Sequence, residues 1–129
     1  MGNPTCYVVR ASLLPDHPAP GSITKVTHPN KKYNERDVAR ASAGFVRPNT
    51  WFTMHIIAIA NRLVVLVNDR VVADHVDKSN PLLSGKLALH QWSFEEVLFR
   101  NVTVKPLDDD KALALAQAKT EMPNLSQWW

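Results

Sequence analysis

The side chains of this chain that can move protons are its carboxylates and imidazoles. Asp16, Glu35, Asp37, Asp74, Asp77, Glu95 and Glu96 are the acids available near strands and loops. General acid–base chemistry across one bond needs two such groups placed on either side of it. No two of these acids stand at a telling spacing, so the sequence reads them first as solvated loop carboxylates. The histidines carry more information. Asp16-His17 sits in a proline-rich loop, His28 follows a short strand, His75 neighbours Asp74, and His90 precedes Gln91-Trp92. A histidine beside a carboxylate can act as a general base or bind a metal. No His-x-x-x-His or similar ligand spacing occurs, so no metal site is expected and no cofactor is implied. Asp16, His17 and His28 are the catalytic candidates. His55, in mid-strand, reads as structural.

Ligand recognition draws on aromatic rings that stack on a flat apolar face and on polar groups that fix orientation. Tyr33, Arg47, His90 and Trp92 are the candidates for substrate binding. Trp51 opens a strand and reads as core. Arg100, between Phe99 and Asn101, reads as part of the sheet.

These residues must be positioned by β-structure. Thr5 to Leu13 is rich in β-branched and aromatic residues and predicts a strand. Residues 14–21 hold three prolines and a glycine and predict a loop. A short strand is expected over Ser22–Thr27, then a long basic loop to Gly44 with one helical turn over Glu35–Ala41. Trp51–Ala60 predicts a strand, Asn61-Arg62 a tight turn, Leu63–Val67 the return, Asn68-Asp69 a second turn, and Arg70–Val76 the next strand. Asn and Asp tolerate the left-handed backbone that such turns demand. A turn at Asn61-Arg62 would set Ile59 opposite Val64, Ile57 opposite Leu66 and His55 opposite Asn68. Both faces of the hairpin are then apolar, as in a strand pair covered on both sides. Further strands are expected over Gly85–Gln91 and Phe94–Lys105, with a bulge at Arg100-Asn101 that keeps Val97, Phe99, Val102 and Val104 on one side. Pro106 ends the sheet. Asp108-Asp109-Asp110 predicts a helix start, with the helix over Lys111–Glu121 stopped at Pro123.

The order of these motifs carries a resemblance. Trp51, an apolar strand, an Asn turn, a second apolar strand, another Asn turn, Asp77, Gly85-Lys86-Leu87-Ala88-Leu89, then Phe99-Arg100-Asn101-Val102-Thr103-Val104-Lys105 resembles the 3-keto-disaccharide hydrolase family, long called a domain of unknown function. Cys6-Tyr7-Val8-Val9-Arg10 and Gly21-Ser22-Ile23 extend the likeness more faintly. The resemblance implies an all-β, antiparallel concanavalin-A-like jelly-roll sandwich. It implies a glycosidase-type hydrolase of bacterial type, acting on 3-keto-disaccharides or related glycosides, and a periplasmic or extracellular location. Val8 stands at the family's glutamate, Arg10 at its glutamine, Asp69 at a turn glycine, and His90 at a glutamine. The family's early strands, with an Asn-Ser-Gly motif, have no counterpart.

The expected organisation is therefore a partial jelly roll over 1–107 and a helix and tail over 108–129. The partner expected is a carbohydrate. The alternative function is a non-catalytic carbohydrate-binding module of lectin or laminin-G type. A half-sandwich would expose edges and apolar faces, implying a homo-oligomer or a missing N-terminal segment. The net charge of +3 is spread without a basic stripe, so nucleic acid is not an expected partner. No run of 18 uncharged apolar residues occurs, so no membrane span is expected. The N-terminus lacks the pattern of a signal peptide. The single Cys6 can form no internal disulfide.

Overall fold

Aliphatic and β-branched residues that alternate in and out set the strands of this chain. The computed structural model describes residues 5–14, 16–28, 32–42, 45–91, 96–108, 110 and 114. β1 (Cys6–Val9), β2 (Ile23–Thr27) and β3 (Asn34–Ala39) form one antiparallel sheet in that order. β4 (Met54–Ile59), β5 (Arg62–Val67) and β6 (Arg70–Val76) form a second. Ile23 of the first sheet meets Val65, Val67, Val72 and Ala73 of the second, with Val46 from the intervening loop. The fold is thus the expected all-β antiparallel sandwich.

β5 is buried on both sides. Leu63, Val65 and Val67 join the inter-sheet core, while Val64 and Leu66 cluster with Ile57 on the outer face, against Ile59 and Leu107. Each such side chain, fully buried, contributes about 1.5–3 kcal/mol. This is the two-faced central hairpin that its composition predicts.

The hairpin register differs from expectation by one turn position. The turn is Ala60-Asn61, so Ile57 pairs with Val64, His55 with Leu66, and Ile59 with Arg62. Hydrogen bonds of Asn61 and Arg62 to β6 and the residue after it explain the shift. Asn61 Nδ2 donates to the Asp77 carbonyl at 2.9 Å, and Asp77 N donates to the Asn61 carbonyl at 2.8 Å. Arg62 is drawn into the strand by a two-pronged bond to Asp74, at 2.9 and 2.6 Å. The second turn stands as expected: Asn68 and Asp69 adopt φ of 49° and 64°, the pattern of a hairpin turn with two left-handed residues.

Two other expectations are corrected. The region read as loop and helical turn holds β3, because Thr24 and Asp37 bond across the pair and Val38 and Ala39 pack on the core. The strands expected over Gly85–Gln91 and Phe94–Lys105 join no ladder among the described residues. Leu87 is 81% exposed and Val104 73%. Alternation encodes a face, but a strand also needs a neighbour, and that is a property of context. Asn101 does take a left-handed φ of 53°, kinking the chain where the bulge was expected. The helix expected over Lys111–Glu121 lies outside the described residues apart from Ala114.

Gly21 fixes how the β1–β2 loop sits on the second sheet. Its φ is 92°, and a Cβ there would stand 2.5 Å from Val72 Cγ2.

Candidate functional site

Alternation along the first sheet divides its residues cleanly. Tyr7, Val9 and Ile23 turn into the core. Val8, Thr24 and Asp37 form one register row on the opposite, outer face, and Cys6, Val26 and Glu35 form the next. Polar side chains link across this face. Arg10 bonds Glu35 Oε1 and donates from Nε to Thr24 Oγ1 at 3.2 Å. Thr24 Oγ1 donates to Asp37 Oδ1 at 2.9 Å. Tyr33 donates its hydroxyl to Glu35 Oε2 at 2.6 Å, and the His28 ring lies 5.5 Å from the Tyr33 ring, tilted 55°. Arg40 approaches Asp37 Oδ2 more loosely, at 3.6 Å.

Each member has a distinct capability. Both oxygens of Glu35 are engaged, by Arg10 and Tyr33. Among the described residues, Asp37 Oδ2 faces only the distant, exposed Arg40, so Asp37 is the better placed carboxylate to accept a proton. The hydrogen bond to Glu35 raises the Tyr33 phenol above its ordinary value, so Tyr33 stays a proton donor at neutral pH. Arg10 is a fixed cation at the centre of the face.

The inner side of the sandwich holds a second polar group, the more deeply buried of the two. Asp77 is 4% exposed. Its Oδ2 accepts from Tyr7 and from Lys25 Nζ, the latter at 2.6 Å, and its Oδ1 accepts from Ser79 N at 2.8 Å. Lys25 also donates to the Ser79 and Asn80 carbonyls, and Tyr7 accepts from Leu82 N. Burial pushes the Asp77 carboxyl up, but the bonds from Lys25, Tyr7 and Ser79 outweigh it and hold it at about 2. Burial first, then the bond to Asp77, raises the Tyr7 phenol. Every Asp77 oxygen is occupied, so this group is a clamp joining the first sheet to the loop after β6.

The residues picked out from sequence fall in different places. His28 and Tyr33 come together on the outer face. Asp16 and His17 lie in the β1–β2 loop, at the other end of β2, a strand roughly 15 Å long. There His17 lines a shallow cleft of about 270 Å³ with Ser12, Leu13, Leu14, Ala19, Pro20 and Val46. Arg47 and His90 are exposed, in the β3–β4 connection and after β6. Trp92 lies outside the described residues. Among the others, Arg100 stacks on Trp51 at 4.0 Å, and His75 Nε2 is buried without a hydrogen-bond partner among the described residues. Among the described residues no three His, Cys, Asp or Glu gather as a metal would require.

Glu35 and Asp37 were visible as carboxylates but were placed in a loop. The signal for them is the alternation of Glu35 and Asp37 against Arg36 and Val38, which reads as strand once β2 is its neighbour.

The sequence as a whole supplies the remaining observation. Residues 8–105 match the family model described as a 3-keto-alpha-glucoside-1,2-lyase-like domain. The chain belongs to this family. No curated protein and no solved structure matches it. Within the matched residues, Val8 and Arg10 both project onto the outer face of the first sheet, beside Glu35 and Asp37.

Proposed function

We propose that the chain cleaves 3-keto-α-glucosides by 1,2-elimination on the outer face of the first sheet. The observation that carries this reading is the continuous chain of polar side chains from Tyr33 through Glu35, Arg10 and Thr24 to Asp37, in a domain of this family. A ketone at C3 acidifies the hydrogen on C2. Asp37 takes that proton, and the electron pair of the C2–H bond forms the C1=C2 double bond. The C1–O bond breaks, and its pair leaves on the glycosidic oxygen, which Tyr33 protonates. Arg10 faces the negative charge that develops on the ketone oxygen, and its position is set before substrate arrives. Glu35 positions both Arg10 and Tyr33. The products are an alcohol and a conjugated hydroxy-enone. Addition of water across the new double bond would make the sum a hydrolysis, in keeping with the glycosidase-type resemblance.

Val8 favours a second reading. At the family's glutamate position this face has an aliphatic side chain, and the neighbouring Arg10 is engaged by Glu35. That composition suits a carbohydrate-binding face without turnover. Incubating the chain with a 3-keto-α-glucoside separates the two. Release of the alcohol with appearance of the enone chromophore supports the lyase. Calorimetric binding of the glycoside with no product supports the binding module and sinks the enzyme.

A further inference from the structure

Thr24 stands at the middle of the outer-face chain, on β2, the central strand of its sheet. It is 0% exposed, although it faces away from the inter-sheet core that Ile23 enters. A short β-branched side chain suits a strand and brings a hydroxyl close to the sheet. The register of β2 and β3 slips between Ile23, which pairs with Ala39, and Thr24, which pairs with Asp37. The extra residue on β3 is Val38, which packs on the core as Ala39 does. This bulge keeps Asp37 on the outer face, aimed at Thr24, and re-aiming a side chain is what bulges do.

The direction of the bonds follows from which groups can donate. A guanidinium only donates, so Arg10 Nε gives its hydrogen to Thr24 Oγ1 at 3.2 Å. The one hydroxyl hydrogen of Thr24 is then left for Asp37 Oδ1 at 2.9 Å. An ionised carboxylate only accepts, so the chain cannot run the other way. Arg10 is itself anchored, its side chain by Glu35 and its backbone by Ser22 and Gly21. Asp37 Oδ1 is thus committed, while Oδ2 meets only Arg40, at 3.6 Å, among the described residues. We propose that Thr24 is a positioning residue for the elimination. Its hydroxyl ties the base to the cation and leaves Asp37 Oδ2 as the atom that takes the C2 proton. The inference rests on the reading of this face as a 1,2-lyase site. In the step, the C2 proton bonds to Oδ2 and the C2–H pair becomes the second bond of C1=C2. The C1–O pair leaves on the glycosidic oxygen, which Tyr33 protonates. Oδ1 becomes the carbonyl oxygen of a neutral acid and still accepts from Thr24, so the base need not turn during the transfer. The angle between Asp37 and Arg10, which faces the ketone oxygen, is set before substrate arrives.

Enone formation from a 3-keto-α-glucoside by the wild-type chain, Thr24→Val and Thr24→Ser tests this, with folding of each followed by circular dichroism. Thr24→Val keeps the shape and loses the hydroxyl. It is expected to lower kcat about 100-fold, the scale of a misplacement of about 1 Å, with KM changed by less than about threefold. Thr24→Ser restores the hydroxyl and should keep both constants within about threefold of wild type. Deuterium exchange at C2 of a 3-keto sugar with no leaving group at C1 isolates the proton transfer, and Thr24→Val should slow it as much as turnover. Wild-type kcat in Thr24→Val, or a Thr24→Ser as impaired as Thr24→Val, overturns the inference and leaves the lyase reading standing. Should Thr24→Val not fold, Thr24→Ser and the wild-type hydroxyl decide. The Thr24 hydroxyl proton should be resolved by NMR and coupled to the Asp37 carboxyl carbon; a hydroxyl that exchanges freely with water overturns the inference. A wild-type chain that neither forms enone nor exchanges the C2 hydrogen overturns the lyase reading and this inference with it.

Discussion

Replacing Asp77 with Asn removes the centre of the inner clamp while changing its shape least. The Lys25 and Asp77 side chains are only 12% and 5% exposed. The substitution leaves a buried ammonium facing a neutral amide, and depending on which side its NH2 takes, either the Ser79 N bond or both bonds at the Oδ2 place are lost. Breaking a buried ion pair from one side costs about 3–5 kcal/mol. For a chain of 129 residues that corresponds to a fall in Tm of roughly 10–20 °C. Thermal and urea unfolding followed by circular dichroism would measure it. A loss below about 1 kcal/mol, the level of an exposed pair, would refute the reasoning. The pH dependence gives an independent check. Asp77 sits at about 2 in the folded chain against an ordinary 3.8. A carboxyl depressed on folding contributes fully above its unfolded value and loses that contribution as pH falls through the folded one. Its share, on the order of 2 kcal/mol, is therefore present above about pH 4 and disappears between pH 3.8 and about 2. In Asp77→Asn this part of the acid transition should be missing. An unchanged acid limb would show that Asp77 is not depressed.

Two further substitutions test the fold. Gly21→Ala should destabilise by about 1–3 kcal/mol, because the new methyl overlaps Val72 and the backbone is left-handed; an unchanged urea midpoint would contradict the close approach. Asp69→Gly should stabilise by up to about 1 kcal/mol, since glycine takes the second positive φ of this turn without the strain of a side chain; a lower Tm would mean that the Asp69 side chain contributes more than its backbone strain removes.

What could be read from the sequence follows from which interactions are local. The β4–β5–β6 meander was legible because its turns are short and its valines alternate. The two-faced apolar character of β5 was legible for the same reason. The exact hairpin register was not, because it is set by Asn61 and Arg62 bonding to Asp77 and Asp74, more than ten positions away. β3 was hidden because Asn34-Glu35-Arg36-Asp37 has little strand propensity and is held by β2 and by Thr24. The candidate face inherits that difficulty. Tyr33 and His28 were picked out individually, but their link to Arg10 through Glu35 exists only once three strands stand side by side. The segment after β6 shows the reverse case, a local pattern for strand that joins no ladder among the described residues.

The most direct test of the central claim is turnover of a 3-keto-α-glucoside by Asp37→Asn and Glu35→Gln, compared with Asp16→Ala and His17→Ala. The outer-face account predicts that Asp37→Asn abolishes enone formation, that Glu35→Gln lowers kcat through Arg10 and Tyr33, and that the two loop variants retain wild-type rates. Full activity in Asp37→Asn, with activity lost in Asp16→Ala or His17→Ala, would place the chemistry in the β1–β2 loop and contradict the account.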